Sequence, residues 1–119
     1  MHRLTTYATI PYMRINKELL KGSSELLVLS VLKTEPLYGY EIAKRIKTTS
    51  TDLFTMGEGT LYPILHKLEQ LKMLKSYWEE FGGRKRKYYS ITKSGLVELK
   101  ERAAEWKTFS HAINAIVLS

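Results

Sequence analysis

Two consecutive glycines, Gly82 and Gly83, constrain the fold of this chain more than any other feature of its sequence. They separate two segments of strand-forming residues, SYWEEF at 76–81 and KYYSIT at 87–92. A glycine pair between such segments favours a tight reversal, because glycine enters the left-handed backbone region of hairpin turns at little cost. The sequence therefore predicts one β-hairpin in the C-terminal half of the chain.

Helical spacing of apolar residues marks the chain before this hairpin. Residues 19–33 favour a first helix, with Ser23 or Ser24 as the expected N-cap. Pro36 and Gly39 interrupt the pattern. A second helix is predicted after the break, with an apolar stripe formed by Tyr38, Ile42 and Ile46.

The third predicted helix has the most regular pattern in the chain. Its apolar residues lie at i, i+3, i+4, i+7 and i+10, namely Leu61, Ile64, Leu65, Leu68 and Leu71. At 100° per residue, Pro63, His66 and Gln70 fall on the opposite side, with Tyr62 and Lys67 on the shoulders. The face left for solvent thus carries hydrogen-bonding and cationic groups.

Two interpretations of this polar face stay open at this point. Laid in the major groove of DNA, such a helix reads base edges with its side chains and contacts phosphates with its N-terminal amides, here near Gly59 and Thr60. The alternative is an ordinary amphipathic helix whose polar face is solvated.

Four consecutive cations, Arg84, Lys85, Arg86 and Lys87, follow the glycine pair. All four are expected to project from the tip of the hairpin. On a thin hairpin, long cationic side chains reach a phosphate backbone or enter a minor groove, and each neutralised phosphate releases counterions. A run of charge is commonly just a solvated surface. Its position directly after a helix-turn-helix pattern favours contact with nucleic acid. Of the two tyrosines that follow, one is expected to pack on the core, and Trp78 is also interpreted as packing at the base of the hairpin.

Residues 93–118 predict a long final helix with a heptad-like seam. The seam consists of Leu96, Leu99, Ala103, Trp106, Ser110, Ile113 and Val117. Spacings of three and four over three heptads are typical of a helix that packs along a partner helix, which predicts a homodimer. The uneven layer around Trp106, together with Phe109, leaves a groove that suits a flat apolar ligand; the alternative is plain interface core.

The order of helix, helix, helix, hairpin and long helix predicts the fold class: mainly α with a small β-hairpin, a winged helix-turn-helix followed by a dimerisation helix. Residues 1–18 are interpreted as an N-terminal arm, residues 19–92 as the DNA-binding domain and residues 93–119 as the dimerisation helix.

Composition narrows the function. Nineteen Lys and Arg against twelve Asp and Glu give a net charge of +7, so the expected partner is acidic. No run of apolar residues is long enough for a membrane span, no secretory signal is visible and cysteine is absent, so a cytoplasmic location is expected. The scattered His2, His66 and His111 form no catalytic or metal-binding pattern, which predicts a protein that is not an enzyme and has no metal or cofactor.

Several stretches together resemble the PadR family of bacterial transcriptional regulators. They are LYGYEI at 37–42, GTLYPILHKLEQLKML at 59–74, GRKRKYYSIT at 83–92 and GLVEL at 95–99. The resemblance implies a homodimer of winged helix-turn-helix protomers that represses transcription at a roughly palindromic DNA operator. A single C-terminal helix is similar to the small subfamily, some members of which bind flat aromatic effectors at the dimer interface.

The same resemblance assigns roles to individual residues. It implies that Thr60, Tyr62, Pro63 and Lys67 lie at or near the DNA in the major groove. It makes phosphate contacts plausible for Tyr38 and Tyr40, and it brings Arg84, Arg86 and Lys87 to the minor groove or its phosphates. Trp106 becomes a candidate ligand contact.

The chain departs from the family pattern in two places. Lys72 or its neighbour stands where the turn after the recognition helix usually has glycine, and Lys85 replaces a common wing proline. Two other functional classes stay open from the sequence: a small basic interaction protein that docks on an acidic protein surface, and a nucleic-acid binder that uses charge alone.

Overall fold

A computed structural model describes residues 15–119 of the chain. In chain order the elements are α1 (Lys17–Val31), β1 (Leu37–Tyr38), α2 (Gly39–Thr49), α3 (Glu58–Gln70), β2 (Leu74–Phe81), β3 (Arg84–Ile91) and α4 (Lys93–Val117). Helices α1 to α3 precede an antiparallel hairpin and a long last helix, which confirms the predicted fold class. Most of the predicted N-terminal arm lies outside the described residues.

The first helix begins earlier than the sequence predicted, and its N-cap is a different residue. Asn16 caps it, because its side-chain oxygen accepts a hydrogen bond from the backbone N–H of Glu18 at 2.8 Å. Ser23 and Ser24, the predicted caps, lie inside the helix. The hydroxyl of Ser24 donates to the carbonyl of Leu20 at 2.9 Å, a bond that satisfies a serine within a helix. The prediction was wrong because Asn16, Ser23 and Ser24 are all residue types that cap helices, and the sequence pattern did not distinguish between them.

The sheet has three strands in the order β1-β3-β2. The turn between β2 and β3 is Gly82-Gly83, with φ of 54° and 79°, which confirms the predicted reversal. The third strand was not predicted. It is β1, a two-residue strand in which Leu37 pairs with Tyr89 and Tyr38 with Tyr88. Tyr38 therefore belongs to the sheet and precedes the second helix, rather than starting its apolar stripe.

One hydrophobic core joins the helices to the inner face of the sheet. Tyr89 is buried on this face and Tyr88 points to the outer face, so the predicted division of the two tyrosines is confirmed. Leu71 is half-exposed, because α3 ends at Gln70. The buried apolar residues are Val28, Leu29, Leu32, Leu37, Ile42, Ile46, Met56, Leu61, Leu65, Leu68, Leu74, Tyr89 and Leu99.

The last helix is tied to the turn that follows α3. Thr92 caps α4 by accepting a hydrogen bond from the N–H of Gly95 at 3.0 Å, while its hydroxyl donates to the carbonyl of Lys72 at 2.7 Å. Gly95 is buried against the carbonyl of Met73, and a Cβ at this position would overlap that oxygen. The start of α4 is therefore fixed relative to the end of the third helix.

The predicted seam of α4 is divided by the structure. Leu99, predicted to lie at the dimer interface, is only 7% exposed and belongs to the core of the single chain, because the first half of α4 packs on α1. Beyond it the same stripe continues without an intramolecular cover. Among its residues, Trp106, Ile113 and Val117 are exposed.

Candidate nucleic-acid interface

The third helix presents the polar face that the sequence predicted. Leu61, Leu65 and Leu68 are buried, whereas Thr60, Tyr62, Pro63, His66 and Lys67 are all exposed. Gly57 caps the helix without a side-chain hydrogen bond, so no side chain of the cap occupies the amides of the first turn. Such amides bind anions readily, because the positive end of the helix dipole lies there.

Tyr62 is seated on the start of α2. It is 44% exposed, and its ring packs against buried Gly39 so closely that a Cβ at Gly39 would lie 2.5 Å from the phenol oxygen. Glycine at this position therefore allows α3 to approach α2. The contact leaves one edge of Tyr62 free while fixing the direction of its side chain.

Lys67 has a different environment from the other predicted residues of this helix. Its Nζ donates to Oε2 of Glu25 on α1 at 2.6 Å, so its ammonium is paired within the protein. On the helix, Lys67 and Tyr62 occupy opposite shoulders of the exposed face. The structure thus brings Tyr62 toward the sheet and Lys67 toward α1.

The four wing cations are divided between the two faces of the sheet. Arg84 and Arg86 share the outer face with Tyr88, whereas Lys85 and Lys87 are on the inner face with Tyr89. They lie along β3, and the glycine pair alone forms the turn, whereas the sequence placed all four at the tip. Two carboxylates, those of Glu79 and Glu80, lie opposite Arg86 and Lys85 across the hairpin.

An aromatic cluster supports the outer face of the wing. The guanidinium of Arg86 lies 4.6 Å from the ring centroid of Tyr38, a cation–π geometry. Tyr88 contacts Tyr38 edge-on at 5.5 Å and stacks with Tyr77 at 5.8 Å between ring centroids. Tyr40 lies 6.3 Å from Tyr38 and is 66% exposed. Two tyrosines predicted at the DNA, Tyr38 and Tyr40, are thereby brought together with Arg86.

Trp78 does not pack at the base of the wing as predicted. Its side chain is 65% exposed on the inner face of β2, opposite Lys87. The core ends at Ser76 and Tyr89 in this register, so Trp78 extends beyond the helices that would have covered it.

Sequence reasoning missed Lys44 and Lys47, which extend a row of polar groups that begins at the predicted Tyr40. These residues follow the spacing i, i+4 and i+7, and all three are exposed on one side of α2. They line a shallow pocket with Thr48 and Thr55. The sequence contained a signal for this row, because Lys44 and Lys47 lie on the side of α2 away from the buried stripe of Ile42 and Ile46.

A groove lies between α1 and α4 on another part of the surface. It has a volume of about 720 Å³, and its apolar lining includes Leu19, Leu26, Trp106 and Phe109. The rings of Trp106 and Phe109 lie 6.0 Å apart between centroids, so the structure brings together the two aromatic residues predicted to line a groove.

Within residues 15–119, no group of three or more His, Cys, Asp and Glu side chains is arranged to hold a metal ion. None of the described helices is both long enough and apolar enough to cross a membrane.

The chain that carries this surface matches a known protein family. Residues 28–101 match the Transcriptional regulator PadR-like family, and this segment runs from the middle of α1 into α4. The chain belongs to the PadR-like family. It is a DNA-binding transcription regulator with the winged helix-turn-helix fold of PadR type, and this family is one of regulators rather than enzymes.

Solved structures of related proteins share this fold. A transcriptional regulator from Clostridium thermocellum has a TM-score of 0.78 and 34% sequence identity, over 84% of this chain and 98% of that one. A PadR-like transcriptional regulator from Bacillus cereus has a TM-score of 0.75 and 30% identity, over 86% of this chain and 98% of that one. The transcriptional regulator YqjI of Escherichia coli is 28% identical over 94 residues, and the match covers 79% of this chain but 44% of that protein.

Proposed function

We propose that this PadR-like protein is a dimeric repressor that recognises a specific operator in double-stranded DNA. Its recognition helix α3 enters the major groove, and the wing formed by β2 and β3 contacts the adjacent minor groove or its phosphates. Two protomers place two such helices on the half-sites of a roughly palindromic operator, and occupancy of the operator blocks transcription. In bacteria this action takes place in the cytoplasm.

One observation carries the DNA-binding part of the proposal: a continuous chain of contacts joins the recognition helix to the wing. Tyr62 of α3 packs on Gly39, the neighbouring Tyr38 pairs with β3, and Arg86 of β3 lies over the Tyr38 ring. A base-reading element and a phosphate-binding element are therefore held in one rigid arrangement. Such an arrangement supports sequence-specific binding better than scattered charge does, because phosphate contacts then fix the register of the base contacts.

The unpartnered half of α4 supports the dimer. From Ala103 onward nearly every residue is exposed, and the apolar ones include Trp106, Phe109, Ile113, Ile116 and Val117. An exposed apolar stripe on a 25-residue helix is the sequence and structural pattern of a helix that packs along another copy. The proposed interface comprises Leu96, Ala103, Trp106, Phe109, Ser110, Ile113 and Val117.

The groove between α1 and α4 supports an effector site at the same interface. Its volume suits a small aromatic molecule, and Trp106 and Phe109 offer ring faces for stacking. A ligand there contacts the helix that sets the dimer geometry, so its binding changes the distance or angle between the two recognition helices and releases DNA.

The Tyr62→Ala substitution tests sequence-specific recognition. We expect it to weaken binding to the operator by about tenfold or more and binding to random duplex much less, because only operator binding uses base contacts. Footprinting first locates the operator, and fluorescence anisotropy then measures both dissociation constants. Equal losses on both duplexes would assign the protein to the charge-driven binders, and no DNA binding by the unsubstituted protein would favour a basic interaction protein.

A further inference from the structure

Four charged side chains connect the recognition helix to the dimerisation helix through α1. The two carboxylate oxygens of Glu25 are shared: Oε2 accepts from Lys67 Nζ at 2.6 Å, and Oε1 accepts from Arg102 Nη1 at 2.9 Å. Arg102 in turn donates from Nε to Glu98 Oε2 at 2.9 Å within α4. Glu25 is thus the one carboxylate of this network that contacts both helices.

Partial burial makes the pair of Glu25 and Arg102 stronger than an ordinary surface pair, whereas the Lys67 side chain is 61% exposed. The side chains of Glu25 and Arg102 are each about one quarter exposed, at 26% and 27%. Partial burial by itself raises the pKa of Glu25, but the hydrogen bonds from Lys67 and Arg102 outweigh it, so the pKa lies below its ordinary value. The pKa of Arg102 is raised by its hydrogen bonds to Glu98 and Glu25. Both shifts favour the charged forms of Glu25 and Arg102.

Building on the proposed function, we infer that Glu25 is a positioning residue that competes with the DNA phosphates for Lys67, and that Arg102 of α4 sets the strength of this competition. A phosphate and Glu25 compete for the same ammonium group. Arg102 shares the negative charge of Glu25 and so weakens its grip on Lys67. When Arg102 moves away with α4, Glu25 binds Lys67 more tightly and one phosphate contact is lost.

This arrangement gives the dimerisation helix a route to the DNA-binding surface that requires no change in the fold. Glu25 and Arg102 both line the groove beside Trp106, whereas Lys67 lies on the recognition helix. A shift of α4 at the groove therefore alters the number of phosphate contacts through two hydrogen bonds, that of Arg102 to Glu25 and that of Lys67 to Glu25.

The test measures binding to a random 30-base-pair duplex, because phosphate contacts do not depend on sequence. We expect Glu25→Gln to bind about threefold to tenfold more tightly than the unsubstituted protein and to steepen the salt dependence by no more than about one phosphate contact. We expect this gain to require Lys67. The single variant Lys67→Met and the double variant Glu25→Gln with Lys67→Met should therefore bind with equal affinity. Arg102→Met should weaken binding when Glu25 is present and have little further effect in the Glu25→Gln background.

Glu101→Gln is the matched control. It removes an equal charge from an exposed position of α4 next to Arg102 and leaves the contact between Glu25 and Lys67 in place, so its affinity should stay within about twofold of the unsubstituted protein. A gain with Glu101→Gln as large as that with Glu25→Gln would overturn the inference. A gain that persists without Lys67 would do the same. If the unsubstituted protein binds no duplex, the proposed function itself fails.

A second measurement on the unsubstituted protein keeps the inference testable if Glu25→Gln unfolds. The NMR signal of the Lys67 ammonium group, assigned by its absence in Lys67→Met, reports its hydrogen-bond partner. We expect the signal to shift when DNA is added and the partner changes from carboxylate to phosphate. A signal unchanged at saturating DNA would show that Lys67 stays on Glu25 and would overturn the inference.

Discussion

At the scale of single residues, Gly39 determines the direction of the Tyr62 side chain, which we propose to contact DNA. A methyl group at Gly39 would overlap the phenol oxygen of Tyr62, so Gly39→Ala has to displace that side chain. We expect Gly39→Ala to weaken operator binding by about tenfold, as for the loss of one base contact. Gly22→Ala is the matched control, because Gly22 lies on α1 with open space around it. Full operator affinity of Gly39→Ala would contradict the role assigned to the contact.

Lys72 has a backbone conformation that is unusual for a residue other than glycine. It has a φ of 65°, in the left-handed region that favours glycine. The resemblance to the PadR family implied a glycine at Lys72 or its neighbour, and this φ favours Lys72 as the position. We expect Lys72→Gly to raise the free energy of unfolding by about 0.5 to 1 kcal/mol, since relief of backbone strain exceeds the entropy that glycine adds to the unfolded chain.

Urea unfolding followed by circular dichroism measures this change, and Lys72→Ala is the control. Alanine removes the lysine side chain but keeps the backbone penalty, so its stability should match that of the unsubstituted protein within about 0.5 kcal/mol. A destabilised Lys72→Gly variant would show that the left-handed turn carries little strain.

At the scale of elements, the wing contributes charge on two faces rather than at one tip. Arg84 and Arg86 are on the outer face, and Arg86 is held over Tyr38. We expect the double substitution Arg84→Ala with Arg86→Ala to weaken binding to every duplex and to reduce the salt dependence by about two phosphate contacts. Lys75→Ala removes a cation from the same face at the base of the hairpin and should leave that dependence nearly unchanged. Equal effects of the two would argue against a specific wing contact.

How well the sequence predicted each element depended on how many local signals agreed. The third helix and the glycine turn were predicted because apolar periodicity in one case, and a glycine pair between strand-like segments in the other, pointed to a single structure. The start of α1 was missed because Asn16 competes with Ser23 and Ser24 as a cap. The strand β1 was missed because two residues form no pattern of their own, and only pairing with β3 defines them.

The candidate site was predicted in its residue types but not in its pairings. Helical projection placed Tyr62 and Lys67 on the shoulders of α3, yet it contained no information about Glu25, which lies 42 positions earlier in the chain. In the same way, a heptad pattern does not distinguish a residue that packs on its own chain from one that packs on a partner. Leu99 and Ile113 lie on one stripe, yet Leu99 is buried in its own chain and Ile113 is exposed. The heptad pattern alone therefore did not predict this difference.

At the scale of the whole molecule, the exposed half of α4 should determine the oligomeric state. Ile113 lies on the predicted seam and is 42% exposed in the single chain. We expect Ile113→Asp to convert the dimer to monomers at low micromolar concentration in sedimentation velocity, because a charge there has to be buried on association. Ala112→Asp adds the same charge to an exposed position off the seam and should leave the dimer intact. An Ile113→Asp protein that remains dimeric would place the interface elsewhere.

The central claim is that this PadR-like protein recognises a particular DNA sequence through α3 while its wing supplies charge. The most direct test is a fluorescence-anisotropy titration against the region upstream of its own gene and a scrambled duplex of equal length, at two salt concentrations. We predict tighter binding to the upstream region and a preference that persists at the higher salt, because base contacts are less sensitive to salt than phosphate contacts are. Equal binding to the two duplexes that is lost at the higher salt would contradict this claim.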